Sequence, residues 1–117
     1  MWFLSVISHL MTKNLDKEGL RSIAENYDLF FIDLWGVVHN GIKLHEKAIE
    51  TLVEIDKSNK KYVLLTNAPR PNSTVKNFLK KLGMNNKILE NVYTSGEAAL
   101  SYLKKNHLSE IFYHIGP

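Results

Sequence analysis

The chain alternates short apolar runs with longer segments in which apolar residues recur every three or four positions. Short apolar runs are typical of buried strands, and the longer spacing is typical of amphipathic helices. The runs predict strands at 29–32, 62–65, 92–93 and 111–115, of which the first two are expected to be buried on both faces. The spaced segments predict helices at 15–27, 46–58, 73–82 and 94–105. Alternation of this kind indicates an open, mostly parallel α/β sheet.

Polar residues and one glycine mark the expected ends of these helices. Asn14 is expected to cap the first helix and Ser73 the third, because each side chain can accept a hydrogen bond from a free amide of the first turn. Gly83 is expected to end the third helix. Thr94 and Glu97 have the spacing of a capping box at the start of the fourth helix.

An Asn40-Gly41 pair lies between two short apolar stretches that follow the first strand. This pair favours a hairpin with a type I′ turn, in which both central residues take a positive φ. His39 stands next to the turn, and the pattern favours a histidine on the surface over one that contacts a substrate.

The length of 117 residues leaves room for one small domain, which we place at 14–117. Residues 1–13 are expected to be a poorly ordered extension, and Met11 is an alternative start. The apolar run at 1–10 is about half the length of a membrane span and lacks the marks of a secretory signal. We therefore expect a cytoplasmic protein without a membrane segment.

The net charge of +3 does not by itself indicate a nucleic-acid partner. Thirteen of the fifteen basic residues are lysines, and three lysine pairs stand near predicted helix ends, where cations complement the helix dipole. No basic stripe interleaved with aromatic residues is present, so we expect no nucleic-acid binding. The sequence contains no cysteine, which excludes disulfides and thiolate metal sites.

Asp33 and Thr66 each follow an apolar run directly and so fall at the carboxyl ends of two predicted strands. Ligands of open α/β sheets bind at this edge. A carboxylate there can attack phosphorus to form an aspartyl-phosphate, or it can bind Mg²⁺. A hydroxyl can hydrogen-bond a phosphoryl oxygen. On spacing alone, an Asp that caps a turn and a Thr that ends a strand are equally compatible with the pattern.

Five segments of the sequence resemble the haloacid dehalogenase-like superfamily, in its NagD-like, large-cap branch. Residues 31–38 with Asn40-Gly41 resemble its first motif, and 64–67 its second; 92–99 and 113–116 also match. The resemblance implies a three-layer, Rossmann-like α/β core, here truncated at its C-terminal side. It further implies a Mg²⁺-dependent phosphatase that acts on a small phosphorylated metabolite.

The same resemblance implies a role for several residues. Asp33 would be the nucleophile, assisted by Thr66, and would bind Mg²⁺ together with the backbone carbonyl of Trp35. The phosphate would be held by further residues, namely Asn67, Arg70 and Gly36.

Two departures from the family pattern bear on activity. Trp35 stands where the family usually has the aspartate that acts as general acid and base, and an indole cannot donate a proton usefully. A subgroup that this sequence resembles also carries Asp-x-Trp-Gly in its first motif. The family's later lysine and acidic motifs would lie beyond residue 117. We therefore expect an N-terminal fragment that is inactive alone, with a complementing C-terminal chain or a homo-oligomer as possible partners.

Two other function classes compete with the phosphatase. The first is a catalytically dead fragment or pseudoenzyme that binds a ligand or a partner, which Trp35 and the missing lysine favour. The second is a receiver-type domain phosphorylated on Asp33. Such domains need an acidic pair before the phosphoacceptor strand, and the sequence offers none.

Overall fold

The computed structural model of the protein describes residues 14–116, so the expectation for the extension at 1–13 lies outside the described residues. The helices and strands in chain order are α1 (Leu15–Glu18), α2 (Arg21–Ala24), β1 (Leu29–Asp33), α3 (Glu46–Lys57), β2 (Lys61–Thr66), α4 (Asn72–Lys81), α5 (Asn86–Leu89), β3 (Val92–Thr94) and α6 (Ser95–Asn106). No helix of the described part is long and apolar enough to cross a bilayer.

The three strands form one parallel sheet in the order β1-β2-β3. Phe31 pairs with Val63, and Leu65 with Tyr93, which aligns the carboxyl ends of the strands along one edge. This confirms the predicted parallel α/β sheet. It corresponds to a truncated Rossmann-like core.

The hydrophobic core lies on one face of the sheet. Tyr62, Leu64 and Val92 point into it from the strands. The helices α3, α4 and α5 cover the same face, and their buried apolar residues are Leu52, Ile55, Leu79, Ile88 and Leu89. A single face is covered because successive right-handed crossovers in one direction place their helices on the same side.

The other face of the sheet is uncovered within the described residues. Phe31 is 69% exposed, and Leu65 and Tyr93 are also exposed. We name this surface, formed by Leu29, Phe31, Val63, Leu65 and Tyr93, the open face. The expectation that the strands are buried on both faces is therefore wrong for β1 and β2. The residues on this side are apolar, as the sequence indicates, but no helix of the described residues covers them.

The predicted helix at 15–27 is two short helices instead of one. Gly19 separates α1 from α2 and takes a φ of 71°, a conformation that ends a helix and that glycine adopts without strain. Leu20 packs against the core as the apolar pattern predicts, whereas Tyr27, at the end of the predicted helix, is exposed. Asn14 caps α1 as predicted, since its side chain accepts a hydrogen bond from the Asp16 amide at 3.1 Å.

The ends of α4 and the short helix α5 differ in part from the prediction. Ser73 does not cap α4, because the helix begins one residue earlier and Pro71 occupies the cap position without a side-chain hydrogen bond. The short helix α5, capped by Asn85, was not predicted, because four residues are too few to show a helical period. Gly83 follows α4 with a φ of 93°, which confirms it as the residue that ends this helix.

The fourth predicted strand, at 111–115, is wrong. Residues 111–116 have no regular secondary structure, and the side chain of Ile111 is fully exposed. A strand needs a hydrogen-bonded neighbour, and among residues 14–116 this segment pairs with none of the three strands. The alternation of apolar residues there is suitable for a strand, but tertiary contacts decide whether one forms.

Candidate active site

Asp33 and Thr66 are the last residues of adjacent parallel strands, as the sequence predicts. Asp33 pairs with Leu65, so Thr66 is one residue farther along its strand. The alternation of side chains places Asp33 on the side of Phe31 and Thr66 on the side of Leu64. A group that contacts both side chains must therefore lie beyond the strand ends, at the carboxyl edge of the sheet.

One oxygen of the Asp33 carboxylate is held by the backbone. Oδ1 accepts a hydrogen bond from the Leu34 amide at 2.8 Å, and the side chain is exposed. Within residues 14–116, Oδ2 has no hydrogen-bond partner. The carboxylate therefore has a defined orientation and one oxygen available to a ligand.

The turn after β1 is held tightly by two buried side chains and a glycine. Leu34 and Val38 are buried in the core. Gly36 takes a φ of 77°, and its amide donates to the His39 carbonyl oxygen at 2.8 Å. Because this amide is engaged, it is not a free donor for an anion in this conformation. A role for Gly36 toward phosphate would come from its backbone shape.

The hairpin after this turn forms, but not with a type I′ turn. His39 and Leu44 make an antiparallel bridge, with residues 40–43 as the connection. Gly41 has a φ of 87°, whereas Asn40 does not take a positive φ. The Asn40 side chain accepts hydrogen bonds from the Ile42 and Lys43 amides at 3.0 and 2.9 Å. These local bonds favour a longer loop over the two-residue turn.

His39 is buried, with 5% exposure, so the expectation of a surface histidine is wrong. Its ring meets those of Trp35 and Phe78 edge-on at 5.5 and 5.6 Å. Nδ1 accepts a hydrogen bond from the Gly41 amide at 3.0 Å. Burial lowers the pKa of His39, the neighbouring His45 lowers it further, and Asp33 opposes the change. A neutral imidazole protonated on Nε2 fits these contacts.

Trp35 presents its indole to solvent, and its backbone carbonyl oxygen is unoccupied within the described residues. The side chain is 66% exposed, and its ring lies against Gly41, where a Cβ would come within 2.7 Å of the indole. Within the described residues, the Trp35 carbonyl oxygen accepts no hydrogen bond. This oxygen and Oδ2 of Asp33 are therefore both available as hard ligands.

A carboxylate oxygen and a backbone carbonyl oxygen are of the ligand type that Mg²⁺ prefers, and this ion keeps several waters. In the part of the chain that the structure describes, no three His, Cys, Asp or Glu side chains are grouped so that they would hold a metal ion.

The β2–α4 loop (residues 67–71) carries the other candidate phosphate ligands. The side chains of Asn67 and Arg70 are exposed, and that of Thr66 is half-buried. None of the three makes a hydrogen bond or an ion pair to another residue within 14–116. The loop follows Thr66 directly, so the conformation of the loop backbone determines the positions of the Asn67 and Arg70 side chains.

Sequence reasoning missed the residues that hold this loop. Thr94, Ser95 and Gly96 donate hydrogen bonds to carbonyl oxygens of the loop, and Asn72 and Glu97 join its end to α6. A glycine in the first turn of a predicted helix was the available signal, because glycine is a poor helix former.

The model of one protein family, the haloacid dehalogenase-like hydrolases, matches residues 30–117. The chain belongs to this family. The match includes both strand-end residues, Asp33 and Thr66, and the hairpin turn. No curated protein matches the chain.

Solved structures of this family resemble the chain over about three quarters of its length. A haloacid dehalogenase-like hydrolase from Brucella suis 1330 is 32% identical, with a TM-score of 0.67, over 74% of this chain and 32% of that one. A putative NagD protein is 25% identical, with a TM-score of 0.59, over 68% and 32%. The glycerol phosphate phosphatase from Mycobacterium tuberculosis, in complex with magnesium, is 29% identical, with a TM-score of 0.55, over 72% and 25%.

The chain thus spans a quarter to a third of the length of these solved relatives. Their similarity agrees with the NagD-like resemblance of the sequence and supports a phosphatase superfamily.

Proposed function

We propose that the chain carries the nucleophile half of a Mg²⁺-dependent phosphatase site for a small phosphorylated metabolite. The arrangement of Asp33 carries the proposal: one carboxylate oxygen is held by the Leu34 amide and the other is free, at the end of a parallel strand beside Thr66. An oriented carboxylate with a free oxygen can approach phosphorus in line with the leaving group.

In the proposed reaction, Oδ2 of Asp33 attacks the phosphorus atom and the bond to the leaving oxygen breaks. The leaving oxygen departs as an alkoxide and takes a proton from water or from a complementing chain. An aspartyl-phosphate remains, which water then hydrolyses to regenerate the carboxylate. Thr66, Asn67 and Arg70 have side chains free to donate hydrogen bonds to the phosphoryl oxygens. Gly36 lets the backbone turn closely around the phosphate.

The second lone pair of Asp33 Oδ1 and the Trp35 carbonyl oxygen would hold Mg²⁺, which leaves Oδ2 free to attack phosphorus. When bound, the ion would neutralise charge on a phosphoryl oxygen. Its remaining ligands would be waters and the phosphate itself, as is usual for Mg²⁺.

We further propose that the chain alone does not turn over phosphate esters. The three strands end in Asp33, Thr66 and Thr94, so none presents a lysine to offset the charge of the carboxylate and the phosphate. Trp35 offers no proton for the leaving oxygen. The active protein would need these groups from a complementing C-terminal chain or from another copy.

The open face supports such a partner. Parallel sheets are normally covered on both faces, and here Phe31, Leu65 and Tyr93 remain exposed. A second layer over this face would complete the fold and would bring further groups to the edge where Asp33 lies.

The alternative function is a pseudoenzyme that binds a ligand or a partner without chemistry. The exposed indole of Trp35 favours it, because the residue in this position offers an apolar surface where a proton donor is expected. In that case the site would still bind an anion but would form no covalent phosphate.

The test uses beryllium trifluoride, which binds a carboxylate oxygen and mimics an acyl phosphate. With Mg²⁺ present, we expect backbone NMR shifts at residues 33–36 and at Thr66, which Asp33→Asn should abolish. Glu46→Gln, an exposed carboxylate at the start of α3, is the matched control and should not change the response.

Shifts that persist in Asp33→Asn would show that Asp33 is not the acceptor. Binding of inorganic phosphate without any response to beryllium trifluoride would favour the pseudoenzyme. Mg²⁺ added alone should shift the same residues weakly, and only when Asp33 is intact.

A further inference from the structure

The backbone of the β2–α4 loop is bound by the residues that join β3 to α6, which we name the β3–α6 junction (residues 94–97). Ser95 Oγ and the Gly96 amide both donate to the Ala68 carbonyl oxygen, at 3.0 and 3.1 Å. Thr94 Oγ1 donates to the Arg70 carbonyl oxygen at 2.5 Å. Three donors of one short segment therefore converge on two carbonyl groups of the loop.

The end of the loop is held by a second pair of bonds. The Thr94 amide donates to Oδ1 of Asn72 at 2.9 Å, and the Asn72 amide donates to Oε2 of Glu97 at 3.0 Å. The first residue of α4 is thereby joined to both ends of the junction. Pro69 and Pro71 contribute no amide donors, so these contacts provide much of the hydrogen bonding that the loop backbone makes.

Gly96 allows the two segments to approach closely. A Cβ at this position would stand 2.3 Å from the Arg70 nitrogen and 2.6 Å from its carbonyl oxygen. These are backbone atoms, which cannot swing aside as a flexible side chain can. Any other residue at 96 would push the loop away from the junction.

Thr94 is fully buried, at 0% exposure, and both functions of its hydroxyl are used. Oγ1 donates to Arg70 and accepts from the Glu97 amide at 3.0 Å. Because a buried polar group without a partner is costly, the hydroxyl holds the loop in the one position that satisfies it.

The junction binds the backbone of the loop and leaves its side chains alone. Within residues 14–116, the side chains of Thr66, Asn67 and Arg70 have no hydrogen-bond partner. We infer that the β3–α6 junction is a positioning clamp, in which Thr94 and Gly96 hold the β2–α4 loop in its anion-ready conformation before an anion arrives. A loop ordered in advance costs less free energy to bind than one that must order on binding.

This inference rests on the proposed phosphate site but concerns residues that touch no substrate. Thr94 and Gly96 are positioning residues, since they act through the backbone at 68 and 70. The effect of removing them should thus appear in phosphate affinity and in the exchange of the loop amides, beyond any loss of overall stability.

The test compares Thr94→Val, which keeps the side-chain shape but loses both hydroxyl hydrogen bonds, with the conservative Thr94→Ser. Thr51→Val is the matched control, because Thr51 is exposed on α3 and its hydroxyl also donates to a carbonyl oxygen, that of Lys47 at 2.7 Å. Ile55→Val shortens a buried side chain of α3 and lowers stability at a site outside the loop.

Two quantities are measured by NMR on each variant. The first is amide hydrogen exchange at Asn72 and Gly96 without ligand. The second is the affinity for inorganic phosphate with Mg²⁺, followed through the amides of Thr66 and Asn67. For Thr94→Val we expect exchange to accelerate and phosphate affinity to fall, each by about tenfold, because the loop must then order on binding.

Thr94→Ser and Thr51→Val should both remain close to the unchanged protein. Gly96→Ala should weaken phosphate binding as Thr94→Val does, through displacement of the Arg70 backbone. If Thr94→Val lowers the phosphate affinity no more than Ile55→Val does, Thr94 has only a structural role and the clamp is overturned.

The outcomes for the clamp and for the proposed function are separable. If the unchanged protein binds no phosphate while Thr94→Val still accelerates amide exchange, the proposed phosphate site is wrong. Thr94 then orders the loop but does not prepare it for an anion. If exchange at Asn72 and Gly96 does not change, the clamp itself is wrong, whatever the protein binds.

Discussion

The backbone amide of Asn72, at the start of α4, donates a hydrogen bond to the carboxylate of Glu97, in the first turn of α6, at 3.0 Å. In a capping box, the Glu97 side chain would return to the Thr94 amide. Here that amide donates to Asn72 Oδ1, and Thr94 Oγ1 accepts from the Glu97 amide. Of the two hydrogen bonds of the predicted capping box, the one from the Glu97 amide to Thr94 forms within α6. The other is replaced by two bonds to Asn72, which join the start of α6 to the start of α4.

Replacing Glu97 by Ala should destabilise the protein, because the Asn72 amide would lose its acceptor in a partly buried position. We expect a loss of about 1–2 kcal/mol in the free energy of unfolding, the range for a helix cap or a hydrogen bond to a charged group. Urea denaturation measures it. Glu50→Ala, at an exposed position of α3, should change stability by less than about 0.5 kcal/mol. Equal losses of stability in both variants would contradict a stabilising hydrogen bond between Asn72 and Glu97.

Replacing Gly41 by Ala should move the indole of Trp35. Gly41 and Gly83 both have a positive φ, so either change to Ala should lower stability by about 1–3 kcal/mol. Only at Gly41 would the new Cβ meet the indole, at 2.7 Å, whereas Gly83 has open space. The Trp35 indole N–H resonance should therefore shift in Gly41→Ala and not in Gly83→Ala. An unmoved resonance in Gly41→Ala would contradict this contact.

Stability should fall as the pH decreases through the range in which histidine ordinarily titrates. Burial lowers the pKa of His39, so the unfolded chain binds a proton at a higher pH than the folded protein does. Between the ordinary value of about 6.5 and the lowered value, the unfolded state holds more protons and is favoured by acid. The urea midpoint should drop between pH 7 and pH 5, and less so in His39→Gln. His114→Gln, at an exposed position, should follow the unchanged protein.

The chain alone should show no turnover of p-nitrophenyl phosphate with Mg²⁺ above that of Asp33→Asn. Loss of one preorganised electrostatic partner costs on the order of a hundred- to thousandfold in rate. Here a strand-end lysine and a proton donor at position 35 are both missing among the described residues. Release of p-nitrophenol that depends on both Asp33 and Mg²⁺ would overturn the proposal that the chain is inactive by itself.

The open face should cause the chain to self-associate when no partner covers it. Phe31 is the most exposed side chain of that face, so Phe31→Ser should reduce association at high concentration and barely change stability. Sedimentation velocity at several concentrations measures the effect. Tyr102→Ser, at an exposed position of α6, is the matched control and should not alter it. If the unsubstituted chain remains monomeric at high concentration, the open face does not mediate self-association.

The sequence by itself determined the local features. Apolar runs set β1 and β2, and the polar residues that end them, Asp33 and Thr66, lie at the carboxyl edge as expected. The caps at Asn14 and Thr94 were also predicted correctly. These features depend on neighbours within a few positions, which the order of residues displays directly.

The tertiary structure alone decided the features that depend on distant residues. His39 is buried because Phe78 of α4 packs against it, and Gly96 is needed because the Arg70 backbone lies against it. The segment at 111–116 is not a strand, because it pairs with neither edge strand of the described sheet, and its local pattern could not reveal that. Contacts between residues 26 or more apart depend on how the helices pack on the sheet, and no local period encodes that geometry.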